Sequence, residues 1–520
     1  MARQKYPVGV QTFSEIIEGG YVYIDKTDLV YSLTESGKYI FLSRPRRFGK
    51  SLLLSTIDAY FRGRRELFKG LAIDSLTDDW QPHPVFHLDL SGCAYLDKDS
   101  LGRHIDMYLA RWEKIYGDEN SGRDLSGRFA SLLAAASEKT GRKAVVLIDE
   151  YDKPLLDTLD EDRREIHSYY KEVLRGFYGC LKSNDRYLRF VMLSGVTKFS
   201  QVSIFSGLNN LKDISMSRKY STICGVTQEE LERDLSEGIG ELGEEYGMDR
   251  EETLSTLKER YDGYHFAADL RDVYNPFSLL NALDNCQLGN YWFQSGNPKF
   301  LAVRLKEDHI DLHALQKSVE TGTRLQDLDL AMTNPVPLLF QTGYLTIKRY
   351  DRDFDEYSLG YPNREVKESF LRSLVPYYVE YDRGTSSFDV KRFVQEVRGG
   401  DVEAFMKRFQ ALFAGFPYDQ VGDCELHYHN VIYLTFVLMG FYVRTEYRTS
   451  DGRCDAVVMT DSHIYIFEFK YNRSAEEAIR QIDEKGYALP FAADPRQLIK
   501  IGVNFSSETR RIDDVKIVKG

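Results

Sequence analysis

The chain has 520 residues, too many for one hydrophobic core, so roughly two to four domains are expected. A composition of 42% hydrophobic and 28% charged residues, with 35 Tyr and 30 Phe, excludes a disordered chain. A net charge of −12 argues against a broad, non-specific nucleic-acid binder, though a local basic groove stays open.

The start carries no apolar leader, and no apolar run is long enough to span a bilayer. Six cysteines are scattered without a CxxC pair, which suits free thiols in a reducing compartment better than disulfides or a zinc site. The expectation is a soluble, cytoplasmic protein with no membrane partner.

In chain order, Tyr21–Ile24 predicts a strand and Asp25–Ser36 a short helix. Tyr39–Ser43 predicts a strand that feeds a basic loop, and Leu52–Arg62 a helix after it. Between them stands Arg44-Pro45-Arg46-Arg47-Phe48-Gly49-Lys50-Ser51. Strand, tight loop, Gly-Lys-Ser and helix is the layout of a P-loop, whose backbone N–H groups and helix N-terminus cradle phosphates. Lys50 would reach the β- and γ-phosphates, and the Ser51 hydroxyl would bind Mg²⁺. The motif asks for glycine six residues before the lysine; Arg44 stands there.

Val85–Leu90 predicts a strand, and Ser100–Tyr116 and Gly127–Thr140 amphipathic helices. Ala144–Ile148 is a continuous apolar run ending in Asp149-Glu150, as in a buried parallel strand that opens into a site. It matches Walker B: Asp149 would hold the Mg²⁺ shell and Glu150 polarise the attacking water. After a helix over Arg163–Ser183 comes a third apolar strand, Leu188–Leu193. Thr197, just beyond it, is a candidate γ-phosphate sensor. This order is that of an α/β NTPase core. The ATP contacts expected are Arg44, Arg47, Phe48, Gly49, Lys50, Ser51, Asp149 and Thr197.

Beyond about residue 225 the pattern turns helical. Thr227/Glu230 and Asp249/Glu252 are capping-box pairs, and Asn275-Pro276 and Asn297-Pro298 place a cap before a first-turn proline. Leu338–Arg349 predicts a small β element, followed by helices over Glu365–Tyr378, Ser387–Arg398 and Asp401–Ala414. The division expected is 1–225, an α/β ATPase domain; 226–415, a mostly helical region; and 416–520, a compact α/β domain.

That last domain predicts a helix over Leu426–Gly440, strands over Tyr442–Tyr447, Arg453–Met459 and Ile464–Lys470, a helix over Ala475–Leu489, and a final strand over Ile499–Phe505. Pairing Met459 with Ile464 across the turn sets Asp455 directly opposite Glu468. Like charges so placed destabilise a sheet unless something offsets them, and a divalent cation would. Lys470 shares their face by the two-residue period of a strand, while Phe467 and Phe469 face the core. Asp455, Glu468 and Lys470 form a set able to hold Mg²⁺ and orient water for phosphodiester hydrolysis, with Glu425 as a further metal ligand. A half-solvated structural strand has the same pattern.

Other candidates read more simply. His427 and His429 lie two apart on a helix, so at most one faces Glu425. The basic cluster of Arg46, Arg47, Arg62, Arg64, Arg65 and Lys69 reads as a solvated helix end. Arg218 is a candidate finger acting in trans in a homo-oligomer. Tyr261, Tyr264 and Trp292 read as packing before base stacking.

Together these segments resemble a bacterial architecture in which an AAA-ATPase-like domain is fused to a PD-(D/E)xK nuclease-superfamily domain. The resemblance rests on Tyr23–Thr27, Arg44–Ser51, Leu147–Asp152, Ser194–Ser200, Tyr261–Tyr264, Tyr274–Ser278, Trp292–Gly296, Gly452–Asp455 and Phe467–Lys470. It implies that Arg44 is that family's own residue. It also implies a P-loop NTPase core of the additional-strand type, a helical middle region and a restriction-endonuclease-like C-terminal domain. Asp455 and Glu468 would take the metal-ligand places, Lys470 that of the catalytic lysine and Glu425 that of the helix acid. Gln481 and Tyr487 would be supporting residues. The proline of the PD pair is replaced by Cys454. The function implied is ATP binding and hydrolysis coupled to a Mg²⁺-dependent nuclease acting on nucleic acid, DNA before RNA. By analogy the setting is defence or mobile-element control. The alternative is an ATP-driven switch or scaffold whose C-terminal domain binds nucleic acid or a protein without cutting.

Overall fold

The structure is a computed structural model that describes residues 4–117, 123–198, 208, 210–294, 299–325, 334–378, 390–414, 424–440, 444–445, 455–509 and 511–520. The chain divides into two compact units, residues 1–297 with 316–367, and residues 298–315 with 368–520.

The first unit is built on a five-stranded parallel sheet. Its strands are β1 (Tyr39–Ser43), β2 (Val85–Asp89), β3 (Ala144–Asp149), β4 (Leu188–Gly195) and β5 (Lys212–Asp213), in the spatial order β2-β3-β4-β1-β5. β4 lies between β1 and β3, pairing Leu42 with Ser194 on one side and Ile148 with Leu193 on the other. That inserted strand is the additional strand expected of the NTPase core. Every residue of β3 is buried, as a central parallel strand with both faces covered requires. The helices Ser100–Tyr116 and Arg164–Ser183 each bury one apolar stripe.

The same unit carries helices Ser236–Tyr246, Arg250–Tyr261 and Pro276–Asp284, joined in one core by Leu242, Leu257, Tyr261, Leu279 and Leu283. Both capping boxes form: Thr227 accepts from Glu230 N–H and Asp249 from Glu252 N–H, and each glutamate returns the bond. Asn275 caps the helix that Pro276 opens; Asn297-Pro298 lies outside the described residues. A three-stranded antiparallel sheet follows, with β6 (Val319–Thr321), β7 (Thr346–Asp351) and β8 (Glu356–Gly360) in the order β6-β8-β7.

Two expectations here are corrected. Tyr21–Ile24 forms no strand. Val22 donates one backbone bond to Lys5, Val22 and Ile24 pack on the helical core, and Tyr23 packs edge-on against Phe13, so the segment is fixed by its side chains. The β element over Leu338–Arg349 is half helix: Val336–Gln341 is helical and only Thr346 onward is strand. A short apolar run has no period with which to tell the two apart.

The second unit contains a mixed sheet of β9 (Arg444–Thr445), β10 (Ala456–Met459), β11 (His463–Tyr471), β12 (Gln497–Ser506) and β13 (Arg511–Lys519), in the order β13-β12-β11-β10-β9. β11 and β12 run parallel, and the connection between them includes the helix Ala475–Glu484. That helix buries Ala478, Ile479 and Ile482, the last two in one core with Val457, Ile464, Ile466 and Tyr487. It is shorter than expected, and β13 extends the sheet beyond the expected final strand. Among the described residues no helix is long and apolar enough to cross a membrane.

Candidate functional site

The 44–51 loop leaves the end of β1 and turns into the helix Lys50–Phe61. Gly49, at φ 87°, occupies the left-handed region that glycine adopts without strain. Arg47 adopts φ 100°, unusual for a residue with a Cβ; its guanidinium lies over the Phe277 ring at 5.0 Å. Lys50 is 3% exposed, and its Nζ donates to the carbonyls of Arg44 (3.1 Å) and Pro45 (3.2 Å). Glu150 Oε1 stands 3.5 Å from the same Nζ. The lysine and Glu150, the residue just past the end of β3, therefore meet. Asp149 accepts from the Ser194 hydroxyl at the tip of β4 and from Glu150 N–H.

Arg44 is placed differently from the expectation of a nucleotide contact. It is 1% exposed and points inward, donating to the carbonyls of Ser43, Ser215 and Tyr220 and stacking 4.1 Å from the Phe266 centroid. Burial pushes its pKa down to about 10. Phe48 is also buried, edge-on to Tyr264 and Phe266. Where a flexible glycine loop would stand, this chain pins the loop with two side chains. Trp292 Nε1 donates to the Arg46 carbonyl, a third tie.

Thr197 is likewise turned inward. Its N–H and hydroxyl both donate to Asp152 Oδ2 at 2.6 Å, and it is fully buried. Asp152 also takes Val196 N–H; burial, with Glu150 nearby, raises its pKa to about 6. Asp152 thus clamps the turn after β4. Gly195 is needed there, because a Cβ would lie 2.5 Å from Asp152 Oδ1. In the sequence Asp152 and Ser194 stand only as members of the segments that carry the family resemblance, with no role assigned to either. The only signal was their adjacency to Asp149-Glu150 and to the end of a buried strand.

In the second unit β10 and β11 pair Met459 with Ile464 and Ala456 with Phe467, the expected register. Continuing it sets Asp455 against Glu468, and Asp455 Oδ2 accepts from Phe469 N–H at 2.7 Å. Glu468 is 2% exposed; Oε1 accepts from Lys470 Nζ at 2.8 Å, and Oε2 has no hydrogen-bond partner. Burial, and secondarily the Asp455 charge, raises the Glu468 pKa to about 7. Lys470 Nζ also donates to Gln481 Oε1 at 2.8 Å, so the helix Ala475–Glu484 orients it. Tyr487 is buried in the core beside that helix. Phe467 and Phe469 pack against Phe436, away from the acids.

A buried carboxylate oxygen without a donor, beside a second carboxylate, fits a hard divalent cation better than an empty core. Among the described residues no group of three or more His, Cys, Asp or Glu converges as a metal site. Glu425 begins the helix Cys424–Gly440, but its side chain, like those of His427 and His429, lies outside the described residues, as does Cys454.

Both loop and hairpin fall within regions that match known protein families. Residues 7–205 match a family described as "Predicted AAA-ATPase", and residues 423–515 match the PD-(D/E)XK nuclease superfamily. A relative from Azotobacter chroococcum mcd 1, an uncharacterized protein in the vnfD 5′ region, is 37% identical over 522 residues, covering 98% of both chains. The chain belongs to the AAA-ATPase-like family with a PD-(D/E)XK domain. Among solved structures, the Aeropyrum pernix ORC1 protein in complex with DNA aligns with 70% of this chain and 96% of its own. At 12% identity and a TM-score of 0.24 that likeness carries no argument. The AAA-ATPase-like domain contains the 44–51 loop and Asp149-Glu150, and the nuclease-superfamily domain contains Asp455, Glu468 and Lys470.

Proposed function

We propose that this protein binds and hydrolyses ATP with Mg²⁺ in its AAA-ATPase-like domain, and that nucleotide state governs a Mg²⁺-dependent nuclease acting on DNA. The observation that carries the nuclease reading is the joint placement of Asp455, Glu468 and Lys470 on one face, with a buried Glu468 oxygen lacking a partner.

Each residue has a role in this reading. Asp455 and Glu468, with Glu425, hold the divalent cation. When bound, that ion neutralises charge on the scissile phosphodiester and lowers the pKa of water. Lys470, steadied by Gln481, orients the attacking water and offsets charge in the transition state. In the other domain the backbone from Arg47 to Ser51 receives phosphate oxygens, and Lys50 exchanges its loop carbonyls for them. Ser51 and Asp149 hold Mg²⁺, and Glu150 polarises the water. Arg44, Phe48 and Thr197 serve by shaping the loop and the adjoining turn.

The test is cleavage of DNA by the full chain with Mg²⁺, comparing wild type with Lys470→Ala. Loss of cleavage with an unchanged circular dichroism spectrum supports the reading; full cleavage by the variant removes it.

A second reading, an ATP-driven switch whose C-terminal domain binds nucleic acid or a protein without cutting, is favoured by one observation. Only two acids converge among the described residues, and one is already paired with Lys470. It predicts nucleotide-dependent partner binding and no cleavage with any metal. Cytoplasmic placement, homo-oligomer formation and a role in defence or mobile-element control belong to the same proposal, by analogy alone.

A further inference from the structure

Three successive carbonyls of the 44–51 loop are held by two side chains. Lys50, on the loop itself, takes those of Arg44 and Pro45. Trp292, 246 residues away, takes the next: its Nε1 donates to the Arg46 carbonyl at 2.8 Å. In a planar trans peptide the C=O and the N–H point in opposite directions. Gripping the Arg46 carbonyl therefore turns the N–H of Arg47 away from Trp292. Arg47 adopts φ 100° and Gly49 φ 87°. Left-handed turns of this kind gather backbone N–H groups into a concave anion site. A residue with a Cβ keeps such a φ only where its surroundings over-determine it, and the Trp292 bond constrains the peptide just before Arg47.

Trp292 is itself fixed. Its backbone N–H is shared between Glu365 Oε1 at 2.8 Å and the Ser278 hydroxyl at 3.1 Å. Its ring lies edge-on to Tyr344 at 5.3 Å. Gly343, at φ 89°, allows close packing beside it, because a Cβ there would lie 2.7 Å from Pro45 Cβ and 3.5 Å from Trp292 Cζ2. Glu365 is buried, and its Oε2 has no hydrogen-bond partner among the described residues. Burial raises its pKa to about 7, against the opposing effect of the Ser278 hydroxyl and of the Trp292 and Tyr291 N–H groups. Burying a half-satisfied carboxyl is costly, and an apolar side chain would pack the same space at less cost. What Glu365 adds is a fixed acceptor for the Trp292 backbone.

We infer that Trp292 and Glu365 are positioning residues for phosphate binding. Glu365 fixes Trp292, and Trp292 turns the Arg46–Arg47 peptide so that the Arg47 N–H meets a phosphate oxygen of the nucleoside triphosphate. The inference rests on the nucleotide reading above and adds to it two residues far from the loop in sequence. It gives Trp292 a role besides packing: the indole N–H is a donor only, suited to hold a carbonyl.

The experiment measures binding of inorganic tripolyphosphate with Mg²⁺ to the full chain by calorimetry, with folding checked by circular dichroism. The variants are Trp292→Phe, which keeps a ring without the donor, Glu365→Leu, which removes the acceptor, and Glu365→Gln, which keeps one. Trp292→Phe and Glu365→Leu are expected to weaken binding roughly tenfold or more, and Glu365→Gln to stay within about threefold of wild type. A second readout needs no variant at position 292 or 365. A phosphate on the Arg47 N–H polarises that peptide and makes the Arg46 carbonyl a stronger acceptor. In wild type labelled at its three tryptophans, the Trp292 indole proton should therefore move downfield as tripolyphosphate is added, its signal assigned from Trp80→Phe and Trp112→Phe. Folded Trp292→Phe and Glu365→Leu proteins that bind within about twofold of wild type overturn the inference and leave the nucleotide reading standing. So does a Trp292 signal that stays in place at saturating ligand. Wild-type protein that binds neither tripolyphosphate nor ATP overturns the nucleotide reading and this inference with it.

Discussion

Lys50 Nζ stands 3.5 Å from Glu150 Oε1 while donating to two carbonyls of its own loop. The ammonium is thus buried, held and charge-compensated before any phosphate arrives. Lys50→Ala is expected to abolish ATP binding, measured by calorimetry. Glu150→Gln is expected to bind ATP with affinity near wild type and to lose phosphate release by about a hundredfold or more. Equal loss of binding in both variants would contradict the separate roles.

Arg44 yields a prediction that runs against its motif. Arg44→Gly restores the usual P-loop glycine, yet it strips donors from the buried carbonyls of Ser215 and Tyr220 and empties the space beside Phe266. Each orphaned buried acceptor costs about 1–3 kcal/mol. Arg44→Gly and Arg44→Ala should therefore lower stability by about 2–6 kcal/mol in denaturant titration. A variant as stable as wild type would show that the arginine does not pin the loop.

Asp262 supplies a pH test. It is 1% exposed, and neither carboxylate oxygen has a hydrogen-bond partner. Lys258 stands 4.0 Å away, and Asp272 and Lys348 act on it from a distance. Burial is the main cause that raises its pKa to about 7. The folded state therefore keeps this proton to higher pH than the unfolded chain does. The contribution to stability is full below the ordinary value of 3.8 and is lost as pH rises through about 7. Between pH 5 and 8 the wild-type melting temperature should fall relative to that of Asp262→Asn; parallel curves would refute it.

The hairpin was legible because a strand's period is exact: one assumed pair, Met459 with Ile464, set Asp455 opposite Glu468. The NTPase strand order was legible because β3 and β4 are buried on both faces and read as unbroken apolar runs. Side-chain direction in the loop was not. Arg44 looked like a phosphate ligand from its place in the motif, yet its partners, Ser215, Tyr220 and Phe266, come from segments some 170 or more residues distant in sequence. The direction of the Thr197 hydroxyl was hidden for the same kind of reason, since Asp152 across the turn takes it. Tyr21–Ile24 misled because alternation records which side chains are buried and says nothing of whether the backbone is paired.

The account stands most directly on the Asp455–Glu468–Lys470 face. The measurement is cleavage of plasmid DNA by the full-length protein with ATP and Mg²⁺, in wild type and in Asp455→Ala, with folding checked by circular dichroism. The account predicts cleavage by wild type that chelation of the metal stops and that the folded Asp455→Ala variant lacks. Cleavage undiminished in Asp455→Ala, or a wild-type protein that leaves DNA intact with every divalent metal supplied, would contradict it.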